Sequence, residues 1–397
     1  MLRFSTAGES HGEALIALVS GMPAGVGVDG AAVDRELWRR QQGYGRGGRM
    51  RIESDHAHFL SGVRHGKTIG SPIAIEILNN DWKNWTEALP VEAGDAGKHK
   101  AVDSPRPGHA DLAGALKFNF TDARYVLERA SARESAARVA AGALAKLLLR
   151  ELGMDVASHV IAVGAARLQR AATWEEIAAL RDKETILLHC VDEESEAAMK
   201  AEVDAVLRTG DTVGGVFEVV AHGVPPGLGS YANWDERLDG RLAGAVMSLQ
   251  AVKAVEIGSG VTSAHAVGSA VHDAIGYEAT PGESEDAAPH TKFSRAHNNA
   301  GGLEGGVTNG EDVVVRGYLK PISTLRRPLQ SVNFSRRETV KAAYERSDVC
   351  VVPAAAVAAE AMVALTMAQA ALEKFGGDSL EETQRNYRGY AGQLRRY

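Results

Sequence analysis

Between Arg35 and Arg51 the chain reads RELWRRQQGYGRGGRMR, with six arginines against the single acid Glu36. A guanidinium is a planar fork of donors that can grip a phosphate or carboxylate by two bonds at once. Gly43, Gly45, Gly47 and Gly48 would let the backbone turn tightly enough for several forks to converge on one anion. The segment reads either as a local anion receptor or as a flexible basic surface loop. His11 in GESHG and His109 in RPGHAD sit among small neighbours, which suits a ring that must reach a ligand and carry a proton near neutrality. A lone histidine is more often structural. In ERSDVCVVP, Arg346 and Asp348 are two apart and would share one face of an extended segment, offering an anion-binding group and a base to one pocket, or merely an ion pair at a helix entry. Lys320 to Thr324, KPIST, places a lysine and two hydroxyls around a proline-fixed turn, and Arg129 to Arg133, RASAR, opens a long helical pattern. Amides at that helix start, with Ser131 and Ser135, could receive a phosphate.

Other motifs fail on context. GVRHGKT (62–68) has one residue too few between its glycines for a P-loop and runs into a strand pattern, where phosphate binding needs a helix N-terminus. GYGRGG and GGLEGG lack the flanking strand and helix of a dinucleotide fingerprint and read as tight turns. His56 and His58 fit strand alternation better than a metal site, and no third ligand stands near them. Cys190 and Cys350 are too few for a disulfide framework.

The elements that must position these residues follow from periodicity. Apolar steps of three and four predict a helix from about Glu128 to Glu151, stopped by Gly153, and another from Pro353 to Phe375, stopped by Gly376 and Gly377. The alanine content of the second suggests a buried central helix. Short β-branched runs at Pro72–Leu78, Gly215–Ala221 and Asp312–Tyr318 predict strands. Without a βαβ cadence the mixture reads as α+β with antiparallel sheet. Asp192 to Asp204 reads as a solvated helix face and Gly282 to Pro289 as an exposed loop. No internal repeat and no domain boundary is evident, so residues 1–397 are expected to form a single domain with a flexible C-terminal tail from about residue 387.

A chain of 397 residues, 45% hydrophobic and 24% charged, has the composition of a folded globular protein. A net charge of −7 repels nucleic acid and anionic membrane, so any anion site must be local. No continuous apolar run reaches the length of a membrane span. A soluble chain without a signal peptide, in a reducing compartment, is expected.

Taken together, GESHG, GYGRGGRMRIESD, RPGHAD, ERASARESAARVAAGALA, AGGLEGGVTNG, KPIST and ERSDVCVVPAAAVAAEAM resemble the chorismate synthase family, in the same order from Met1 to about Asn386. The resemblance implies a cytoplasmic lyase of the shikimate pathway that converts 5-enolpyruvylshikimate 3-phosphate to chorismate and phosphate by anti-1,4-elimination, using reduced FMN. It implies a β-α-β sandwich of two similar, intertwined halves and a homotetramer. By position, His11 would protonate the leaving phosphate, His109 would stabilise the reduced flavin, and Asp348 would assist removal of the C6 proton. Flavin contacts would fall on Arg129, Ala130, Ser131, Gln250, Ala251, Gly305, Lys320, Pro321, Ile322, Ser323, Thr324 and Arg346. Arg40 and Arg46 match nicotinamide-nucleotide positions, although gripping substrate anions is the simpler role, and Arg49 and Arg133 would join them. No metal is implied; NADPH could serve as reductant. Gln41 stands where relatives often continue the arginine run. The competing readings are a flavin or nicotinamide oxidoreductase and an RNA-binding module built on Arg35 to Arg51.

Overall fold

Strict alternation puts Leu15, Ala17 and Val19 of one strand and Ile73, Ile75 and Ile77 of another on a single buried face. A computed structural model describes residues 1–48, 52–93, 96–277, 291–345 and 347–397. The chain opens with β1 (Arg3–Ala7), β2 (Ala14–Ser20) and α1 (Gly30–Gln41). After β3 (His58–Phe59) come the hairpin of β4 (Val63–Arg64) and β5 (Lys67–Thr68), and then β6 (Ile73–Leu78). Helices α2 (Asp111–Phe118), α3 (Arg124–Ala130) and α4 (Ser135–Arg150) follow. The first sheet is antiparallel in the order β1-β2-β6-β3, and α4 packs on its inner face.

The second part runs through β7 (Asp155–Val163), β8 (Ala166–Arg167), α5 (Trp174–Ala179), α6 (Glu193–Thr209), β9 (Gly215–His222), α7 (Leu238–Met247) and β10 (Val252–Ile257). An insertion carries the one-turn helices α8 (Gly260–Ser263) and α9 (Gly268–Val271) and the pair β11 (Ile275–Tyr277) and β12 (Phe293–Arg295). Next are the hairpin β13 (Leu303–Glu304) and β14 (Val307–Thr308), strand β15 (Val313–Leu319), the ribbon β16 (Gln330–Val332) and β17 (Thr339–Lys341), and the helices α10 (Val352–Phe375) and α11 (Leu380–Arg396). The second sheet is ordered β10-β15-β9-β7-β8, and α10 packs on β7 and β9. Sheet, two helical layers and sheet make the α+β sandwich expected, and the three sequence-read strands agree to within a residue or two. Helix α10 is long and apolar enough to cross a membrane, but 89% of its most apolar window is buried inside the protein, so it is a core helix. The acidic segment is α6, and the expected loop 282–289 lies outside the described residues.

The structure overturns the reading that the chain has no internal repeat. Apart from β8, the second sheet repeats the first, β7-β9-β15-β10 answering β1-β2-β6-β3. The copies agree in hydrogen bonds: Thr68 Oγ1 donates to Pro23 O at 2.6 Å and accepts from Val26 N at 2.9 Å, while Thr308 Oγ1 donates to Pro225 O at 2.7 Å and accepts from Leu228 N at 2.8 Å. The shared letters are little more than GMPAGVG against GVPPGLG and the hairpin glycines and threonine, and the insertion from α8 to β12 throws the register of the copies off. The halves meet where α4 crosses α10. A Cβ on Gly142 would lie 2.3 Å from Ala361 Cβ, so only glycine permits this approach.

The expected helix Glu128–Glu151 is also corrected. Helix α3 ends at Ala130, Ser131 is extended (φ −66°, ψ 140°), a 3-10 turn spans Ala132–Glu134, and α4 begins at Ser135. Ser131 Oγ accepts from Arg133 N at 3.3 Å, a capping bond that competes with helix continuation. The periodicity survives the break, so sequence alone could not show it.

Candidate active site

The break in the helix turns Ala130, Ser131, Ala132 and Arg133 toward a cavity of about 510 Å³. Facing them are Ser10 and His11 from the β1–β2 turn, Arg40 from the end of α1, Arg46 and Gly47 beyond it, and the turn Arg106 to Ala110. Gln250 and Ala251 enter between α7 and β10, Lys320, Ile322, Ser323 and Thr324 after β15, and Ser347 and Asp348 before α10. Ala251 holds a left-handed backbone (φ 70°), a conformation costly for a residue with a Cβ and commonest at working sites.

Three groups that can move or hold a proton are each fixed by a neighbour. His11 Nδ1 lies 2.9 Å from Glu128 Oε1, its backbone N–H donates to Glu128 Oε2 at 2.7 Å, and its ring packs 3.9 Å from Trp85. Burial works to raise the Glu128 carboxyl, but bonds from His11 and the Arg124 charge outweigh it and hold it below the usual range. His109 Nδ1 lies 2.5 Å from Asp111 Oδ1, and Arg106 reaches the same carboxylate through Nε at 2.8 Å and Nη2 at 3.0 Å. Burial again opposes ionisation of Asp111, and the His109 and Arg106 bonds overcome it, so the carboxyl is strongly depressed. Asp348 Oδ1 accepts from Gly47 N at 2.5 Å, and Oδ2 lies 3.4 Å from Arg46 Nε.

The cations are held in place by buried acids. Arg40 Nη2 donates to Asp55 Oδ2 at 2.8 Å, and Arg133 Nη1 to Asp55 Oδ1 at 2.6 Å. Burial, with Arg133 and Arg46 nearby, lowers the Arg40 guanidinium from its ordinary value; burial works to raise the Asp55 carboxyl, but Arg40 and Arg133 outweigh it and hold it down. Arg40 Nε and Arg133 Nη2 are buried without a hydrogen-bond acceptor among the described residues, with Arg133 Nη2 3.7 Å from Glu53 Oε2. Lys320 Nζ donates to Ser323 Oγ at 2.9 Å, and burial, then Lys253, lowers its pKa.

Not every candidate residue reaches this cavity. Arg129 points its guanidinium to Thr6 O at 2.9 Å and Gly8 O at 3.0 Å, bracing β1 from outside, and neither it nor Pro321 lines the wall. Gly305 turns the β13–β14 hairpin (φ 60°) and does not line it either. Arg49, Arg51 and Arg346 lie outside the described residues. The arginine-rich segment is corrected as a loop: through Gln41 it is helix α1, with Arg35 spent on Arg181 O and Lys183 O and Arg39 buried against Glu36 and Glu360. Gln41 donates to Glu53 O at 3.1 Å and accepts from Asp55 N at 3.3 Å, so it helps fix the buried acid. Sequence reading missed Arg106, Asp111 and Glu128, although each sits within a few residues of a named one, and Asp55, which closes the motif GYGRGGRMRIESD; Trp85 carried no local signal. No group of three possible metal ligands comes together among the described residues.

Comparison with known proteins gives one answer. The family model for chorismate synthase matches residues 2–372. A chorismate synthase of Acidobacterium capsulatum is 75% identical, and one of Koribacter versatilis 69%, each over the whole of both chains. A crystal structure of chorismate synthase superposes with a TM-score of 0.78 at 39% identity, covering 100% of this chain and 99% of that one.

Proposed function

The chain belongs to the chorismate synthase family and converts 5-enolpyruvylshikimate 3-phosphate to chorismate; we propose that it does so by anti-1,4-elimination in the cavity just described, with reduced FMN bound there. The supporting observation is the convergence of His11, His109 and Asp348 on one space with Arg40, Arg46, Arg133 and Lys320. In the reaction the C–O bond to phosphate breaks with its electron pair leaving on phosphate, the C6 proton departs, and the ring gains a double bond.

The lining suits a flavin. Leu127, Ala130, Ala251, Ile322 and Val351 give apolar wall, while Gln250, Ser323 and Thr324 offer polar edges. When bound, reduced FMN supplies electron density to the electron-poor ring. The arginines neutralise the phosphate and two carboxylates before the C–O bond opens, in a site where fixed charges act more strongly than in water. His11, its Nδ1 engaged by Glu128, presents Nε2 as the proton donor to the departing phosphate. Asp348, pinned by the Gly47 amide, stands ready to assist removal of the C6 proton. His109, clamped by Asp111 and Arg106, is held rigid to support the flavin. Arg40 and Arg46 serve the substrate, and the same forks would grip NADPH if it is the reductant. Arg129 and Gly305 are flavin contacts by family position alone. A cytoplasmic homotetramer suits the free buried cysteines and the exposed Leu18 and Leu78 on the first sheet.

Phosphate release from 5-enolpyruvylshikimate 3-phosphate under anaerobic conditions tests this, with FMN reduced by dithionite in one arm and by NADPH in the other. Turnover in the dithionite arm is expected, with flavin unchanged in redox state at the end. Net flavin oxidation in step with product would return the protein to the oxidoreductase reading. Activity in the NADPH arm would show that the chain reduces its own cofactor.

A further inference from the structure

His11 and Glu128 stand between two cavities. His11 lines the substrate cavity, whereas Glu128, buried at the end of α3, lines a second one of about 680 Å³ on the far side. The mouth of the second carries the exposed Glu13, Glu87 and Glu92, and its wall includes His99 and Tyr125. Glu128 faces His11 from the β1–β2 turn at 2.9 Å and Arg124 from its own helix at 3.5 Å. Arg124 in turn donates to Glu345 at 2.7 Å and to Lys100 O at 2.7 Å. A second carboxylate, Glu345, thus shares the arginine, and the His11 ring lies closer to Glu128 than Arg124 does.

We propose that Glu128 is the positioning residue for proton donation by His11, and that the second cavity is its solvent port. This rests on the assignment of His11 above. The carboxylate fixes the Nδ1–H tautomer and aims Nε2–H at the substrate cavity. When Nε2–H passes to a phosphate oxygen, the ring becomes neutral and the carboxylate loses its counter-charge inside the protein. Water in the second cavity, with Arg124, stabilises the charge left behind, without water entering the substrate cavity. No other group of the chain changes protonation in this step.

The experiment pairs Glu128→Gln with Glu128→Ala plus formate. Glu128→Gln keeps shape and an acceptor; its kcat is expected to fall about 100-fold, with KM for the substrate within about twofold. The alkaline limb of its kcat/KM profile should move to lower pH, because an imidazolium without its carboxylate loses its proton more readily. Glu128→Ala opens a hole onto the second cavity, so added formate should restore turnover saturably. In the flavin-free chain, 13C line broadening should show saturable formate binding to Glu128→Ala and none to the native protein. Native kcat and pH profile in Glu128→Gln would overturn the proposal, as would formate that binds Glu128→Ala without restoring activity, or that fails to bind it. Because formate binding is read without substrate or flavin, a native chain that released no phosphate would refute the function and leave this arm interpretable.

Discussion

Asp55 receives Arg40 and Arg133, Asp111 receives His109 and Arg106, and Glu128 receives His11 and Arg124. Arg40, Arg133, Arg106, His109 and His11 on the cavity wall are thus each backed by a buried acid that sets their direction, whereas Asp348 and Lys320 are held by Gly47 N and Ser323 Oγ. Removing a front group should therefore change chemistry more than folding. Asp348→Asn is expected to lower kcat by about 100-fold or more while FMN binding, read by fluorescence quenching, persists; near-native turnover would remove Asp348 from the reaction. Arg46→Ala is expected to raise KM for the substrate about tenfold, the cost of one charged hydrogen bond, with an unchanged melting temperature. An unchanged KM would leave Arg46 as a partner of Asp348 and not a substrate contact. At this scale the front groups were legible because glycine-rich surroundings and clustered charge mark them. The backing acids were not, since a lone Asp or Glu in sequence gives no sign of the residue it will meet across the fold.

At the scale of elements, two features decide whether the front groups meet. The first is the stop at Ser131, which turns the end of α3 and the start of α4 into cavity wall; a continuous helix would have kept Ala130 and Ser131 on a helical face. The second is the crossing of α4 and α10, locked by Gly142 against Ala361 and by Glu360, which accepts two hydrogen bonds from Arg39 at 2.8 and 3.0 Å and also pairs with Lys146. Arg39 sits next to Arg40, so this buried network sets the end of α1 in place. Gly142→Val is expected to destabilise the protein by about 1 to 3 kcal/mol, as overpacking does, read as a lower denaturation midpoint; a native midpoint would show that the helices can part freely. The strands and α10 were readable because their periods are unbroken. The helix break was hidden because capping competes with helix without disturbing the apolar spacing.

For the whole molecule, the duplication explains why the site draws on both halves: His11, Arg40 and Arg133 come from the first, Gln250, Lys320 and Asp348 from the second. Fold class was legible from element types, but the repeat was not, since its copies share backbone requirements more than letters. Folding also ties the molecule to pH. Burial first, and then the Arg39 charge, push His189 down to about 3, whereas an unfolded histidine titrates near about 6.5. Between those values the unfolded chain binds more protons, so stability from this residue is full above about pH 6.5 and is lost as pH falls, at up to about 1.4 kcal/mol per unit. His189→Asn keeps the left-handed backbone (φ 62°) that asparagine tolerates. Its melting temperature should fall less steeply than the native one below pH 6.5; parallel curves would clear His189 of the effect.

Substrate and flavin are expected to share one cavity walled by both halves. A crystal grown with oxidised FMN and 5-enolpyruvylshikimate 3-phosphate tests it directly. Expected is density for both molecules between His11, His109 and Asp348, with the phosphate in hydrogen-bonding reach of His11 and the arginines. Either molecule seated elsewhere, with this cavity holding only water, would contradict it.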